Sequence, residues 1–149
     1  LDAGEVFTLD GVEATNALNV TSGGGADSLF GVTKGDTISC GAGNDTIDGT
    51  TGNSVITGGD GNDQIIINGG IDSLTTGLGN DTVTITNSTG NLTLLDFNPL
   101  LDTFVFHASA ENLTTENNAI HVNNSLGGYT LTFNDNTDLS SLNSFSTFI

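Results

Sequence analysis

The chain has 149 residues and a formal net charge of −17, with 18 acidic residues against a single cation, Lys34. Such an excess of acid argues against nucleic-acid binding, which needs many Lys or Arg side chains to displace phosphate counterions, and against anionic membrane surfaces. The lone Cys40 excludes an internal disulfide framework, and no apolar run is long enough to span a membrane. We expect one or two small domains. Because the chain begins at Leu1, we interpret it as a fragment or a mature piece of a longer protein.

The first 21 residues contain two short runs in which apolar and polar residues alternate, Glu5–Leu9 and Ala17–Thr21. Alternation with a period of two is typical of β-strands. Leu18 stands where the repeat that follows would carry an aspartate. We interpret residues 1–21 either as a degenerate lead-in coil that caps the core and covers its edge or as the tail of a preceding domain.

Residues 22–93 consist of eight consecutive nonapeptides without an insertion. The eighth position is always Leu, Ile or Val, and the sixth is Asp in six of the eight. The pattern G-G-x-G-x-D-x-U-x, with U apolar, predicts a turn over six positions and a strand over three, whose eighth side chain points inward. In order, the nonapeptides are SGGGADSLF, GVTKGDTIS, CGAGNDTID, GTTGNSVIT, GGDGNDQII, INGGIDSLT, TGLGNDTVT and ITNSTGNLT.

Two nonapeptides make a flattened coil of 18 residues, so the turns stack along two edges of parallel sheets. The aspartate edge contains the turns 22–27, 40–45, 58–63 and 76–81, which keep glycine at positions two and four. The irregular edge stacks Asp36, Ser54, Asp72 and Gly90 in turns with irregular glycines. We therefore predict a metal ladder on the aspartate edge, formed by Asp27, Asp45, Asp63 and Asp81 with Gly23, Gly25, Gly41, Gly43, Asn44, Gly59, Gly61, Asn62, Gly77, Gly79 and Asn80.

The predicted ladder offers carboxylate and carbonyl oxygens, the hard ligands of which Ca²⁺ takes about 6–8. Four stacked turns enclose three gaps, so we predict three calcium sites: Asp27/Asp45, Asp45/Asp63 and Asp63/Asp81. On the irregular edge no gap has two carboxylates, and we expect at most one weak site, around Asp36 or Asp72. Cys40, at position one of a turn, is interpreted as a small structural residue rather than a ligand.

Over residues 22–93 the sequence resembles the RTX (repeats-in-toxin) family of calcium-binding β-rolls. The resemblance implies an all-β, right-handed parallel β-roll (a β-solenoid) with capping strands at both ends. It also implies a bacterial protein that a type I secretion exporter releases and that folds on Ca²⁺ outside the cell. Sites of this kind hardly exist in an unfolded chain, so their binding energy becomes folding energy.

Residues 94–149 break the repeat and are interpreted as a C-terminal β cap. Asp96, Phe97 and Asp102 match the segment D-F-x-x-x-x-D-x-[apolar] that closes RTX rolls. The resemblance implies either that Asp96 or Asp102 binds a further ion or that these are turn residues. We expect three phenylalanines to cover the open end of the roll: Phe97, Phe104 and Phe106.

Two later runs, Ala119–Val122 and Tyr129–Phe133, predict an antiparallel pair joined around Gly127 and Gly128. The residues from Leu131 to Ile149 lack cations and carry spaced Leu and Phe. They resemble the uncleaved C-terminal signal of type I secretion substrates, with a plain final strand as the alternative.

The chain has no HExxH, GxSxG or Walker-type motif, and His107 and His121 stand outside any ligand spacing. We therefore predict that it is not an enzyme. The expected function is a calcium-dependent secretion, folding and assembly module of an extracellular structural protein, surface-layer or adhesin-like, because Thr, Asn, Ser and Gly dominate the composition. The alternative is an auxiliary C-terminal module of a secreted enzyme, such as a protease, lipase or alginate epimerase.

Two outward residues, Phe30 and Ile66, suggest a further partner. They would pack on the tail or on a second copy, which predicts calcium-dependent self-association. An ice-binding solenoid needs regular outward rows and is disfavoured, because the row that contains these two residues also contains Asp48 and Thr84.

Overall fold

The computed structural model describes residues 4–10, 16–31, 35–86, 89–106, 112–116, 119–124 and 127–133. Within these ranges the regular structure is entirely β, without a helix. The strands are β1 (Thr8–Asp10), β2 (Asn19–Thr21), β3 (Ser28–Phe30), β4 (Thr37–Ala42), β5 (Thr46–Thr50), β6 (Val55–Asp60), β7 (Gln64–Ile67), β8 (Gly70–Leu78), β9 (Thr82–Ile85), β10 (Gly90–Leu94), β11 (Thr103–Phe106), β12 (Asn112–Glu116), β13 (Ala119–Asn124) and β14 (Gly127–Phe133).

Successive strands alternate between two sheets, so each coil contributes one strand to each sheet. Sheet A has the order β1-β3-β5-β7-β9-β11, and sheet B has the order β12-β13-β14-β10-β8-β6-β4-β2. Pairing between coils is parallel, and most partners are 18 residues apart, such as Leu29 with Ile47 and Ile38 with Ile56. The predicted all-β parallel β-roll is thereby confirmed.

The core lies between the sheets, and the position-eight aliphatic side chains form a continuous row within it. Each of them is at most 1% exposed, and complete burial of such a side chain contributes about 1.5–3 kcal/mol. Because strand side chains alternate, the neighbouring positions seven and nine face outward. The core ladder contains Leu29, Ile38, Ile47, Ile56, Ile65, Leu74 and Val83.

Strands of sheet B are longer than the predicted three residues: β4 and β6 have six and β8 has nine. These strands continue into the first positions of the following turn. The side chains at those positions therefore also alternate between the core and the outer surface. As a result, position one on the aspartate edge points inward, and both Cys40 and Thr76 are fully buried.

The eighth nonapeptide is out of register with the others, which corrects the predicted stack. An 18-residue spacing would place Leu92 on Leu74 and Gly90 on Asp72. In the structure Leu94 pairs with Leu74 and Leu92 with Asp72, while Gly90 pairs with Gly70. The turn before β10 is two residues longer than the repeat allows, and β10 can shift because Leu92 and Leu94 are both apolar and both become buried.

A cap of strands and aromatic rings covers the C-terminal end of the roll. β13 and β14 are antiparallel, as predicted, and β14 returns to pair in parallel with β10. The three phenylalanines predicted to cover this end, Phe97, Phe104 and Phe106, are buried. The ring centroid of Phe104 lies 5.8 Å from that of Phe97 and 5.3 Å from that of Phe106. Phe133 joins this cluster, with its ring centroid 5.6 Å from that of Phe97. His107 and the C-terminal part of the predicted secretion signal, residues 134–149, lie outside the described residues.

Candidate metal centre

Each aspartate of the predicted ladder directly precedes a strand of sheet A. Asp27, Asp45, Asp63 and Asp81 are the residues before β3, β5, β7 and β9. The turn brings the chain from sheet B to sheet A, and the inward alternation of the strand places the carboxylate inside the turn. All four side chains are about 1% exposed.

Hydrogen bonds join these carboxylates into a ladder that runs from coil to coil. The Oδ1 atom of Asp45 accepts the backbone N–H of Asp27 at 2.7 Å, and Asp63 accepts that of Asp45 at 2.9 Å. Asp81 accepts the N–H of Asp63 at 2.9 Å in the same way. One oxygen of each carboxylate thus holds the preceding coil in place.

The second oxygens of three of these carboxylates are buried and have no hydrogen-bond partner among the described residues. They are the Oδ2 atoms of Asp45, Asp63 and Asp81. A buried ionised oxygen without a partner costs several kcal/mol at least, and proteins meet that cost with protonation, pairing or a metal. Three successive turns of the ladder therefore each contain a buried oxygen that a positive charge would stabilise.

The surroundings of Asp63 show what kind of ligand its unpartnered oxygen would accept. A Cβ atom placed on Gly58 would lie 2.5 Å from Asp63 Oδ2 and 2.5 Å from the carbonyl oxygen of Thr76, in the next coil. The absence of a side chain at Gly58 thus leaves a cradle between a carboxylate and a carbonyl. Two such oxygens suit the hard, oxygen-liganded Ca²⁺ ion, and the residues present fit it.

Asp27 differs from the other three. Its Oδ1 accepts the N–H of Phe7 at 2.6 Å, and its Oδ2 accepts that of Gly23 at 3.4 Å. Burial alone would raise the pKa of Asp27, but hydrogen bonds from Ser22, Phe7 and Gly23 outweigh it and leave the pKa below its usual value. The first aspartate is therefore stabilised as an anion by the protein itself.

The pKa values of the other three aspartates are shifted upward. Burial is the largest cause of the shift at Asp63 and raises the pKa of this residue to about 6. The hydrogen bond from the N–H of Asp45 partly offsets this effect, and the negative charges of Asp45 and Asp81 add to it. Burial likewise raises the pKa of Asp45 and Asp81. Without a cation Asp45, Asp63 and Asp81 thus resist ionisation.

Glycines at positions two and four let the coils stack closely enough to share ligands. A Cβ on Gly59 would lie 2.0 Å from the carbonyl oxygen of Gly41, and one on Gly61 would lie 1.8 Å from that of Gly43. No side chain fits such distances, and both residues also have positive φ. The same close contact with the preceding coil occurs at Gly25, Gly41, Gly43, Gly77 and Gly79.

The three asparagines predicted as part of the ladder lie on its exposed side. The Oδ1 of Asn44 accepts the backbone N–H of Asn62 at 2.8 Å, and Asn62 does the same for Asn80 at 2.8 Å. Their side-chain oxygens fasten one turn to the next. Any contribution of Asn44 or Asn62 to a metal would come from the backbone.

On the irregular edge hydroxyl and carboxylate alternate. Ser54 Oγ lies 3.2 Å from the N–H of Asp36, and Asp72 Oδ1 accepts the N–H of Ser54 at 2.8 Å. Asp72 Oδ2 is buried without a partner among the described residues, and burial raises the pKa of Asp72 to about 6. Because of the shifted register, Leu92 rather than Gly90 lies above Asp72.

Two acidic residues after the repeats also reach the aspartate edge. Asp102 directly precedes β11, and its Oδ1 accepts the N–H of Asp81 at 3.1 Å. Asp96 accepts the N–H groups of Thr76 and Gly77 at 2.8 and 3.0 Å. The D-x-apolar pattern of Asp102, Thr103 and Phe104 is the sequence signal for this extension of the ladder.

In the part of the chain that the structure describes, no three His, Cys, Asp or Glu side chains form a metal-binding group by themselves. Backbone carbonyls and water must complete any site on the ladder. His121 lies away from it, with Nδ1 3.3 Å from Thr130 Oγ1. The described part of the chain contains no helix that is long and apolar enough to cross a membrane.

These observations define a class of protein: a parallel β-roll whose stacked glycine turns hold buried carboxylates for cations. Comparison with known families places the repeats within that class. The model of the RTX calcium-binding nonapeptide repeat (4 copies) matches residues 21–53, 41–74 and 66–84. The repeats of this chain, residues 21–84, are thus similar to the calcium-binding repeats of that family. No curated protein and no solved structure matches the chain.

Proposed function

We propose that this chain is a calcium-gated folding module, with Ca²⁺ bound between successive turns of the aspartate edge. The observation that carries the proposal is the set of buried, unpartnered oxygens on Asp45, Asp63 and Asp81. A cation beside them would replace an uncompensated buried charge by a coordinated one. The three predicted ions would lie in one row, between Asp27 and Asp45, between Asp45 and Asp63, and between Asp63 and Asp81.

Calcium affinity sets where such a module folds. Calcium sites of extracellular modules have a Kd of about 10⁻⁴–10⁻³ M, far above cytosolic calcium. The unfolded chain holds no preformed site, so the ions stabilise only the folded roll. We propose that the chain leaves a bacterial cell unfolded through a type I exporter and folds outside it.

We propose further that the module performs no catalysis and belongs to an extracellular structural protein of the surface-layer or adhesin type. In Asp45, Asp63 and Asp81, the Oδ1 atom accepts a backbone N–H, and the Oδ2 atom has no hydrogen-bond partner among the described residues and could bind a cation. Its composition, with a single Lys and no Arg, supports a surface protein over an auxiliary module of a secreted enzyme.

Self-association through the outer face of sheet A is part of this proposal. Phe30 is 39% exposed and pairs in register with Asp10 on one side and Asp48 on the other. Neighbouring acids would oppose contact between copies until cations reduce the charge. Light scattering in millimolar calcium should show particles larger than a monomer, and a strict monomer at high protein concentration would reject this part.

Circular dichroism of the chain in chelator and in millimolar calcium tests the central proposal. We expect a disordered spectrum without calcium and a β spectrum with it. Asp63→Asn should raise the calcium concentration at the folding midpoint by ~10-fold, because one shared carboxylate is lost. Asp60→Asn removes the same charge from an exposed side chain and serves as the control. Identical β spectra in both solutions would refute the proposal.

A further inference from the structure

The connection between β7 and β8 consists of an asparagine followed by a glycine, Asn68 and Gly69. Asn68 is the only asparagine in the sequence that glycine follows. Glycine has no Cβ, so it leaves its backbone nitrogen open to attack on the side-chain amide of the preceding residue. This peptide bond is therefore the one in the chain that is best suited to deamidation.

In the folded roll the side chain of Asn68 is held by the coils on both sides. Its Nδ2 atom donates to Oδ1 of Asp48, in the preceding coil, at 3.5 Å, and its Oδ1 atom accepts the hydroxyl of Thr86, in the following coil. The backbone N–H of Thr86 also donates to the carbonyl of Ile67 at 3.0 Å. Both polar atoms of the amide are thus bound to neighbouring coils.

The backbone that follows Asn68 is restrained as well. Gly69 is buried and has a φ of 112°. A Cβ on Gly70 would lie 2.1 Å from the carbonyl oxygen of Gly52, so the connection packs tightly on the preceding coil. Ring closure between Asn68 and Gly69 would require the amide and this backbone to move together, which the folded coil opposes and the unfolded chain does not.

We propose that Asn68 is a deamidation site that the fold protects. The backbone nitrogen of Gly69 attacks Cγ of Asn68 and loses its proton, the Cγ–Nδ2 bond breaks, and the amide nitrogen leaves as ammonia. One water molecule then opens the resulting succinimide and leaves aspartate or isoaspartate at this position. The reaction consumes water and needs no oxidant or reductant.

The products oppose folding for two reasons. A carboxylate replaces the Nδ2 donor that faces Asp48, so two negative charges meet where a hydrogen bond was. Isoaspartate also adds a methylene group to the backbone of a connection that has no room for a Cβ at Gly70. Ammonia is lost to the solvent, so the change is permanent. In combination with the proposed calcium-gated folding, on which this consequence rests, a chain kept without calcium progressively loses its ability to fold.

Peptide mass spectrometry tests the site after incubation of the whole chain at neutral pH in calcium, in chelator and in urea. We expect Asn68 to deamidate at least ~10-fold faster in chelator and in urea than in calcium. A rate in urea no faster than the rate in calcium would overturn the inference. Slow rates in both chelator and calcium, with a fast rate in urea, would instead reject calcium-gated folding and support protection by the fold.

Two variants test the cost of the product. Asn68→Asp reproduces the new charge, and Asn91→Asp adds the same charge at an exposed position on sheet B. In a calcium titration followed by circular dichroism, Asn68→Asp should raise the folding midpoint by ~5-fold. Asn91→Asp should change it by less than ~2-fold. Failure of Asn68→Asp alone to fold would support the same conclusion, whereas equal midpoints for the two variants would overturn the proposed effect on folding.

Discussion

Aspartates at equivalent places in the repeat experience different environments. Asp27 has N–H partners for both oxygens and a lowered pKa, whereas Asp63 has one partnered oxygen and a raised pKa. The difference arises partly in the turn itself, where Ser22 stands in the place of Gly58 and, with the N–H of Gly23, lowers the pKa of Asp27. The N–H of Phe7, in the neighbouring coil, adds to this effect. Calcium dependence should therefore be concentrated in the inner turns of the ladder.

The pH dependence of the metal-free roll follows from these shifts. The pKa of Asp63 rises from 3.8 to about 6 on folding, so its stabilising contribution is present at low pH and is lost as pH rises through about 6. Asp72 behaves alike on the irregular edge. Without calcium, circular dichroism should show more β structure at pH about 5 than at pH about 7.

With calcium present the direction reverses, because protons compete with the metal for the same oxygens. The calcium concentration at the folding midpoint should then increase as pH falls below about 6. A metal-free chain whose β content is constant or declines between pH about 7 and about 5 would contradict the assigned carboxylate environments.

Close stacking at glycine makes a second residue-level prediction. Gly59→Ala would put a Cβ 2.0 Å from a backbone oxygen of the preceding coil. We expect a loss of more than about 2 kcal/mol in the free energy of unfolding, measured by urea titration in saturating calcium. Gly4→Ala is the matched control, because Gly4 also has positive φ but open space around it. Equal effects of both substitutions would assign the cost to backbone strain alone.

At the scale of strands, periodicity predicted the roll, its parallel pairing and its inward residues over seven nonapeptides. It failed at the eighth because β10 offers two apolar residues with the same inward phase, Leu92 and Leu94, and spacing alone does not choose between them. The closing segment identified Asp102 as a candidate, but the repeat did not predict its hydrogen bond to the N–H of Asp81, since a 21-residue step differs from the repeat. Which oxygens lack partners also depends on contacts between coils, which no single nonapeptide encodes.

The buried face of β10 can be tested by truncating neighbouring leucines. Leu94 is 1% exposed and pairs with Leu74, whereas Leu95 is 40% exposed. Leu94→Ala should reduce the free energy of unfolding by about 2–5 kcal/mol, and Leu95→Ala should change it little. Thermal unfolding in calcium measures both. Comparable losses for the two variants would contradict the inward placement of Leu94 in β10.

For the molecule as a whole, Cys40 provides a probe of calcium-driven folding. Its thiol is fully buried, and burial, followed by the charges of Asp45, Asp63 and Asp27, raises its pKa to about 12. A maleimide should therefore label the chain at least ~100-fold more slowly in calcium than in chelator. Equal labelling rates would show that calcium does not close the roll.

The two ends of the roll are finished differently. At the cap, four phenylalanines are at most 4% exposed, while Leu9 and Val20 in the first coil are only partly buried. Since each coil is held by its neighbours alone, loosening spreads stepwise from the weaker end. Thermal unfolding should therefore start at β1 and β2 and proceed coil by coil toward the four buried phenylalanines of the cap.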